Sequence, residues 1–132
     1  METRFNEATI NRPEGTRLLD ASIIFTDLVE TVEQLKNEKA WDTNDQNGIT
    51  IFKNEHMTQV VTLMKKGTFV KRNDVDTGIS LLVLKGKLRV DTDEQQYEIL
   101  PAQILQLNPV IAHGLTALEE SIIFQVTHHD PK

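Results

Sequence analysis

From residue 49 to residue 127 the chain runs as short apolar segments separated by turn residues, with a new segment beginning about every ten residues. The period-two pattern predicts strands at 49–53, 57–64, 68–73, 79–85, 87–92, 95–100, 103–107, 112–118 and 121–127. Many short strands at this spacing are the signature of an all-β sandwich or barrel, because each strand has one face to bury and only another sheet can cover it. Lys85-Gly86-Lys87 and Thr92-Asp93-Glu94 fall between apolar runs and are expected to be hairpin turns.

Ahead of the strands, residues 1–20 are polar and interrupted by Pro13 and Gly15, which suggests an arm that is ordered only by lying on something else. Ala21–Phe25 is a short apolar run with the character of an edge strand. A helix is expected at 27–39, where Leu28, Val32 and Leu35 recur at helical spacing and Val29 widens the stripe. Thr26 or Asp27 can cap it, acidic Asp27 and Glu30 suit its first turn, and Lys36 and Lys39 its last. The stripe should pack on the sheet with Trp41 closing the contact, and the turn-rich run 42–48 then leads into the strands. The chain thus divides into an arm and helix over 1–48, a β-domain over 49–127 and a polar tail over 128–132.

Two spacings within the strand region point to a family. The first frame is Gly67, Asn73, Val75, Ile79 and Gly86. Its intervals are those of the pattern G-x5-H-x-H-x3-E-x6-G, in which two histidines and a glutamate hold a divalent metal. The second pattern, G-x5-P-x-G-x2-H-x3-N, aligned on His113, falls on Ala102, Asn108, Val110 and Ala117 at its other positions, with Pro109 one residue from the proline site. In this spacing the chain resembles a small single-domain cupin of the cupin 2 type whose metal-binding motifs have degenerated. The resemblance implies an all-β fold, a double-stranded β-helix or jelly-roll barrel with an N-terminal arm and one short α-helix. It also implies that turns at the lost glycines must be built differently.

If Ile79 faces inward, as the glutamate of the pattern would, Leu81 and Val83 face inward with it. Leu115 and Ala117 share a face with His113, and Ile122, Phe124 and Val126 share a face on the last strand. The expected interior is aliphatic. Leu82 and Leu84 are also apolar, so the outer face of strand 79–85 needs covering, by the arm or by a homodimer partner.

On these grounds the barrel should bind a small, largely apolar organic ligand without catalysis. His113 and Asn73 would supply the polar contacts, and Ile79, Leu81, Leu115 and Phe124 the walls. No metal or other cofactor is expected, since a tight site wants about three protein donors and Ile79 and Val75 offer none. Two alternatives stay open. One is a divergent enzyme, either binding a metal through His113, His56 and Asp74 or Asp76, or acting as a metal-free isomerase with His113 as base. The other is a ligand-free interaction module. Either Lys71 or Arg72 must face inward if their strand is regular. His128 and His129 are expected on the solvated tail.

Composition excludes other classes. A formal charge of −6 with scattered basic residues offers no footprint for nucleic acid or an anionic membrane. No apolar run approaches the ~18 residues of a membrane span, and the first fifteen residues lack a signal-peptide pattern. With no cysteine there is no disulfide framework and no thiolate nucleophile. Serine-hydrolase elbows, P-loops and dinucleotide fingerprints are also missing. The expected location is the cytoplasm.

Overall fold

The strand pattern requires that apolar residues at every second position meet a second sheet, and they do. In the computed structural model, which describes residues 4–6, 17–72, 77–109 and 111–129, two antiparallel sheets face one another. One is built from β5 (Phe69–Arg72), β10 (His113–Ala117), β7 (Leu88–Asp91) and β8 (Gln96–Ile99), in that order. The other is built from β3 (Gln46–Lys53), β4 (Met57–Met64), β11 (Ser121–His128), β6 (Ile79–Lys85) and β9 (Ile104–Leu107). Each strand predicted from 49 onward is present, with ends displaced by up to a few residues, as expected where terminal pairs fray.

Between the sheets lies an aliphatic core. Ile79, Leu81 and Val83 of β6 meet Leu88, Val90, Ile99, Leu115 and Ala117 from the opposite sheet, with Met64 and Ile123 beside them. The jelly-roll barrel inferred from the sequence is therefore the fold.

The outer face of the five-stranded sheet carries a second apolar cluster. Here α1 (Leu28–Asn37) lays Leu28, Val32 and fully buried Leu35 against Ile49, Val61, Leu63, Ile122 and Phe124. Asp27 starts the helix as expected, its Oδ1 accepting from the amides of Val29 at 2.9 Å and Glu30 at 3.4 Å. A second short helix, α2 (Lys39–Thr43), follows directly, and Trp41 on it packs into the same cluster. Strand β3 begins at Gln46, inside the run expected to be turn. The reason is long-range: Asn47 is buried, and its Nδ2 donates to the Leu35 carbonyl at 2.9 Å and to Glu38 at 3.0 Å, satisfying the end of α1.

The N-terminal part also differs from expectation. Ala21–Phe25 is not a strand. The strand lies earlier, at β2 (Arg17–Asp20), where it pairs antiparallel with β1 (Arg4–Asn6) and contacts β3. An apolar run becomes a strand only where a hydrogen-bonding partner is available, and the partner of Arg17–Asp20 lies more than ten residues away in sequence. Ile23 and Phe25 are left 85% and 92% exposed.

Lys85-Gly86-Lys87 is likewise not a hairpin, since β6 and β7 belong to different sheets and the turn crosses between them. Gly86 has φ +93°, and a Cβ there would collide with the Glu120 carbonyl and the Ser121 side chain. Thr92–Glu94 does close a hairpin, joining β7 to β8. The second motif position at Ala102 has kept its turn rather than rebuilt it: Ala102 adopts φ +67°, a conformation usually left to glycine.

Candidate functional site

The chain connections give the barrel two distinct ends. At one end, which we call the base, lie the turns 65–68, 85–87, 100–103 and 118–120. At the other, the mouth, lie 77–78, 92–95, 108–109 and 111–112. Strand β10 starts at the mouth with His113 and runs through Leu115 and Ala117 toward the base. Its neighbour β5 runs the opposite way and ends at the mouth with Arg72, directly paired with His113.

Parity then decides which side chains enter the barrel. Val70 pairs with Leu115 and packs against the inter-sheet core, so Arg72, two residues on, shares that inner face. Lys71 pairs with Gly114 and stands exposed on the outer face. The choice left open between the two basic residues is thereby settled for Arg72. Half-buried, its guanidinium is pushed below the ordinary arginine pKa by loss of solvation. Among the described residues no carboxylate forms an ion pair with it.

His113 is 3% exposed. Its Nδ1 donates to the Ile111 carbonyl at 3.0 Å, which in the neutral ring leaves Nε2 as an acceptor. That Nε2 is buried and has no partner among the described residues. Such an orphan costs about 1–3 kcal/mol unless something outside the chain satisfies it. The ring is therefore oriented by the backbone at one nitrogen and carries an unused acceptor, buried from solvent, at the other.

Of the expected walls, Ile79, Leu81 and Leu115 lie in the inter-sheet core as foreseen. Phe124 does not: it is on the opposite face of its sheet, in the cluster beneath α1. The inward residues of β11 are Ile123, Gln125 and Thr127, which pair with Val83, Leu81 and Ile79. Phe124 is drawn outward because α1 offers that face an apolar cover, which a period-two count alone cannot reveal. Gln125 and Thr127 were missed for the same reason. They add polar groups toward the mouth, with Gln125 Nε2 donating to Thr127 Oγ1 at 3.2 Å.

Asn73, Asp74, Val75 and Asp76 lie outside the described residues, so the contact expected of Asn73 and the relocated donors expected of Asp74 and Asp76 do too. His56 is exposed in the turn between β3 and β4. His128 is the last residue of β11 rather than part of a tail, and His129 Nε2 meets Thr58 Oγ1 at 2.8 Å.

Beside the His113 loop, a cleft of about 410 Å³ opens between the edges of the two sheets. Tyr97, Leu105, Leu107 and Ile111 form its apolar lining, and Thr92 and Asn108 are part of its polar rim.

The metal of the cupin pattern does not fit the residues here. Position 79 is a hydrocarbon inside the core, and no group of three His, Cys, Asp or Glu side chains that could hold an ion occurs among the described residues. No helix among the described residues is long and apolar enough to cross a membrane.

No protein-family model matches the chain, and no curated protein matches it in sequence. Solved structures do match. A cupin superfamily protein from Desulfitobacterium hafniense superposes with a TM-score of 0.62 at 16% identity, over 66% of this chain and 80% of that one. The Cupin_2 domain of an XRE family transcriptional regulator from Enterobacter cloacae gives 0.59 at 14% identity, over 67% of this chain and 100% of the domain. A conserved protein of unknown function from Streptococcus pyogenes gives 0.67 at 17% identity, over 86% and 93%. Identities this low speak to architecture, and on that they agree with the strand order and the glycine frame: the chain has the cupin fold.

Proposed function

We propose that the protein binds a small organic molecule at the barrel mouth, without a metal and without chemistry of its own. The observation that carries this reading is His113: a buried imidazole fixed through Nδ1, with Nε2 unpartnered among the described residues. Most buried side-chain polar atoms are hydrogen-bonded, so an orphan acceptor at Nε2 calls for a donor. The cleft beside it sets Tyr97, Leu105, Leu107 and Ile111 against polar Thr92, Asp93, Glu94, Gln106 and Asn108, a mixed lining able to hold a small organic molecule.

Acid–base catalysis by His113 would need a second group able to exchange a proton. Its inward cross-strand neighbour is Arg72, whose guanidinium stays protonated in proteins and so suits binding rather than proton transfer. We also propose that the protein forms a homodimer, for which Ile23, Phe25 and Val29 offer exposed apolar side chains around α1. Sedimentation equilibrium tests it, and a monomer at high micromolar concentration rules it out.

The ligand reading is tested by extracting purified protein with organic solvent and identifying co-purifying molecules by mass spectrometry, beside a thermal-shift screen of small metabolites. A hit should raise the melting temperature of the wild type and lose that effect in His113→Phe, which fills the ring's space without a nitrogen. A blank extraction and an unresponsive screen would remove the reading.

A further inference from the structure

We infer that the ligand is a small hydroxy acid, held by its carboxylate on Arg72 and by a neighbouring hydroxyl that donates to His113 Nε2. The remaining hydrocarbon would lie against Ile79, Leu107 and Leu115. The inference rests on the ligand reading above and names the chemical class that the mouth selects.

The argument begins with register. Arg72 and His113 are direct partners across antiparallel strands and share the inner face, which sets their Cβ atoms about 4.5–5.5 Å apart. Two neighbouring groups on one small ligand can therefore reach both residues, as a carboxylate and a 2- or 3-hydroxyl would. The two protein groups also ask for opposite things. Arg72 brings five N–H donors and a positive charge, and no carboxylate among the described residues meets that charge. Desolvation already opposes the charge, so an incoming anion would relieve part of that penalty. His113, with Nδ1 donating to Ile111, presents a lone pair at Nε2. A bare carboxylate has only lone pairs to offer in return, and a hydroxyl supplies the missing proton.

A carboxylate fits better than a phosphate. Arg72 is the only Lys or Arg among the described residues of β5, β7 and β10 that points inward, since Lys71 and Arg89 stand on the outer face. One planar guanidinium matches one planar carboxylate through two parallel hydrogen bonds. A phosphomonoester would bring nearly twice the charge into an acidic protein of net charge −6. Ile79, Leu107 and Leu115 on the inner face then favour an acid with a short alkyl chain.

The test is isothermal titration calorimetry of the full chain with 2-hydroxyhexanoate, hexanoate and 2-hydroxyhexanamide, on wild type, Arg72→Met and His113→Phe, with melting curves establishing that each variant folds. Wild type should bind the hydroxy acid most tightly. The amide, which loses the charge-assisted pair, should bind roughly 10- to 100-fold more weakly, and hexanoate roughly tenfold more weakly. Arg72→Met should erase the preference for acid over amide while keeping the preference for a hydroxyl, and His113→Phe should do the reverse. Equal binding of acid and amide by wild type would overturn the inference and leave the ligand reading standing. So would an acid preference that survives Arg72→Met. If none of the three probes binds, the inference falls, and if the solvent extract is also blank the ligand reading falls with it.

Discussion

The two ends of the barrel are built on opposite terms. At the base, backbone groups are stitched across turns: Gly67 N–H to the Ala117 carbonyl at 2.7 Å, Ala117 N–H to Thr68 at 2.9 Å, Ala102 N–H to Val83 at 2.8 Å and Leu118 N–H to Lys87 at 2.9 Å. Ser121, with no exposed surface, accepts from Lys87 N–H at 3.1 Å and donates to the Glu119 carbonyl at 2.8 Å. The side chains above it are fully buried aliphatics, Leu81, Val83, Leu88 and Val90. At the mouth the same strands end in an unpartnered imidazole nitrogen, a guanidinium with no ion pair among the described residues, and the polar pair Gln125 and Thr127. One end spends its residues on stability, while the other leaves polar groups unsatisfied. A rigid base is what allows a mouth of this kind to hold its geometry.

Substitutions should separate the two ends. The largest effect is expected at Gly86, where alanine would meet the Glu120 carbonyl and the Ser121 side chain in a left-handed backbone conformation. Gly86→Ala should destabilise by more than about 4 kcal/mol, read as a collapse of the denaturant midpoint or loss of soluble protein. Leu81→Ala, in the core above the base, should lower stability by about 2–4 kcal/mol in urea titration. A loss under about 1 kcal/mol at both positions would mean that the base is not the rigid end.

The mouth should respond with the opposite sign. Arg72→Met is expected to be neutral or to stabilise by up to about 1 kcal/mol, because the half-buried charge has no partner among the described residues to lose. The pH dependence follows the same logic. The guanidinium's folded-state pKa is lowered, so its contribution is a penalty present at every pH below that value, and it is relieved only as the group deprotonates. Between about pH 5 and 9 the Arg72→Met gain should therefore be flat, and a gain that varies steeply in that window would point to a titrating partner. A similarly small effect is expected at Ala102, on the base: restoring glycine at φ +67° should add up to about 1 kcal/mol, measured as a small rise in melting temperature.

The base was largely legible in the sequence and the mouth only partly. Gly67 and Gly86 announce turns because positive φ excludes most side chains, and both adopt it. Aliphatic alternation placed Ile79, Leu81 and Leu115 correctly because each has a single face to bury. Phe124 was misplaced because β11 is apolar on both faces, and which face meets the other sheet depends on where α1 lies. The choice between Lys71 and Arg72 could not be made from residue types. It follows from the register of β5 on β10, and a shift of one residue would invert it. The hydrogen bond from His113 to the Ile111 carbonyl left no trace in the sequence, because any residue at 111 would supply that oxygen.

The grip of Asn47 on the last turn of α1 has a consequence for how the molecule comes apart. A cut between residues 48 and 49, where composition invites one, would sever the side chain that terminates the helix from the strand that carries it. It would also uncover Val61, Leu63 and Phe124 to water. In native-state hydrogen exchange the amides of α1 and those of β3 should accordingly open together, as one cooperative unit. The N-terminal third is thus no removable wrapping: a minimal version of the protein that begins at residue 49 should be sticky and short-lived.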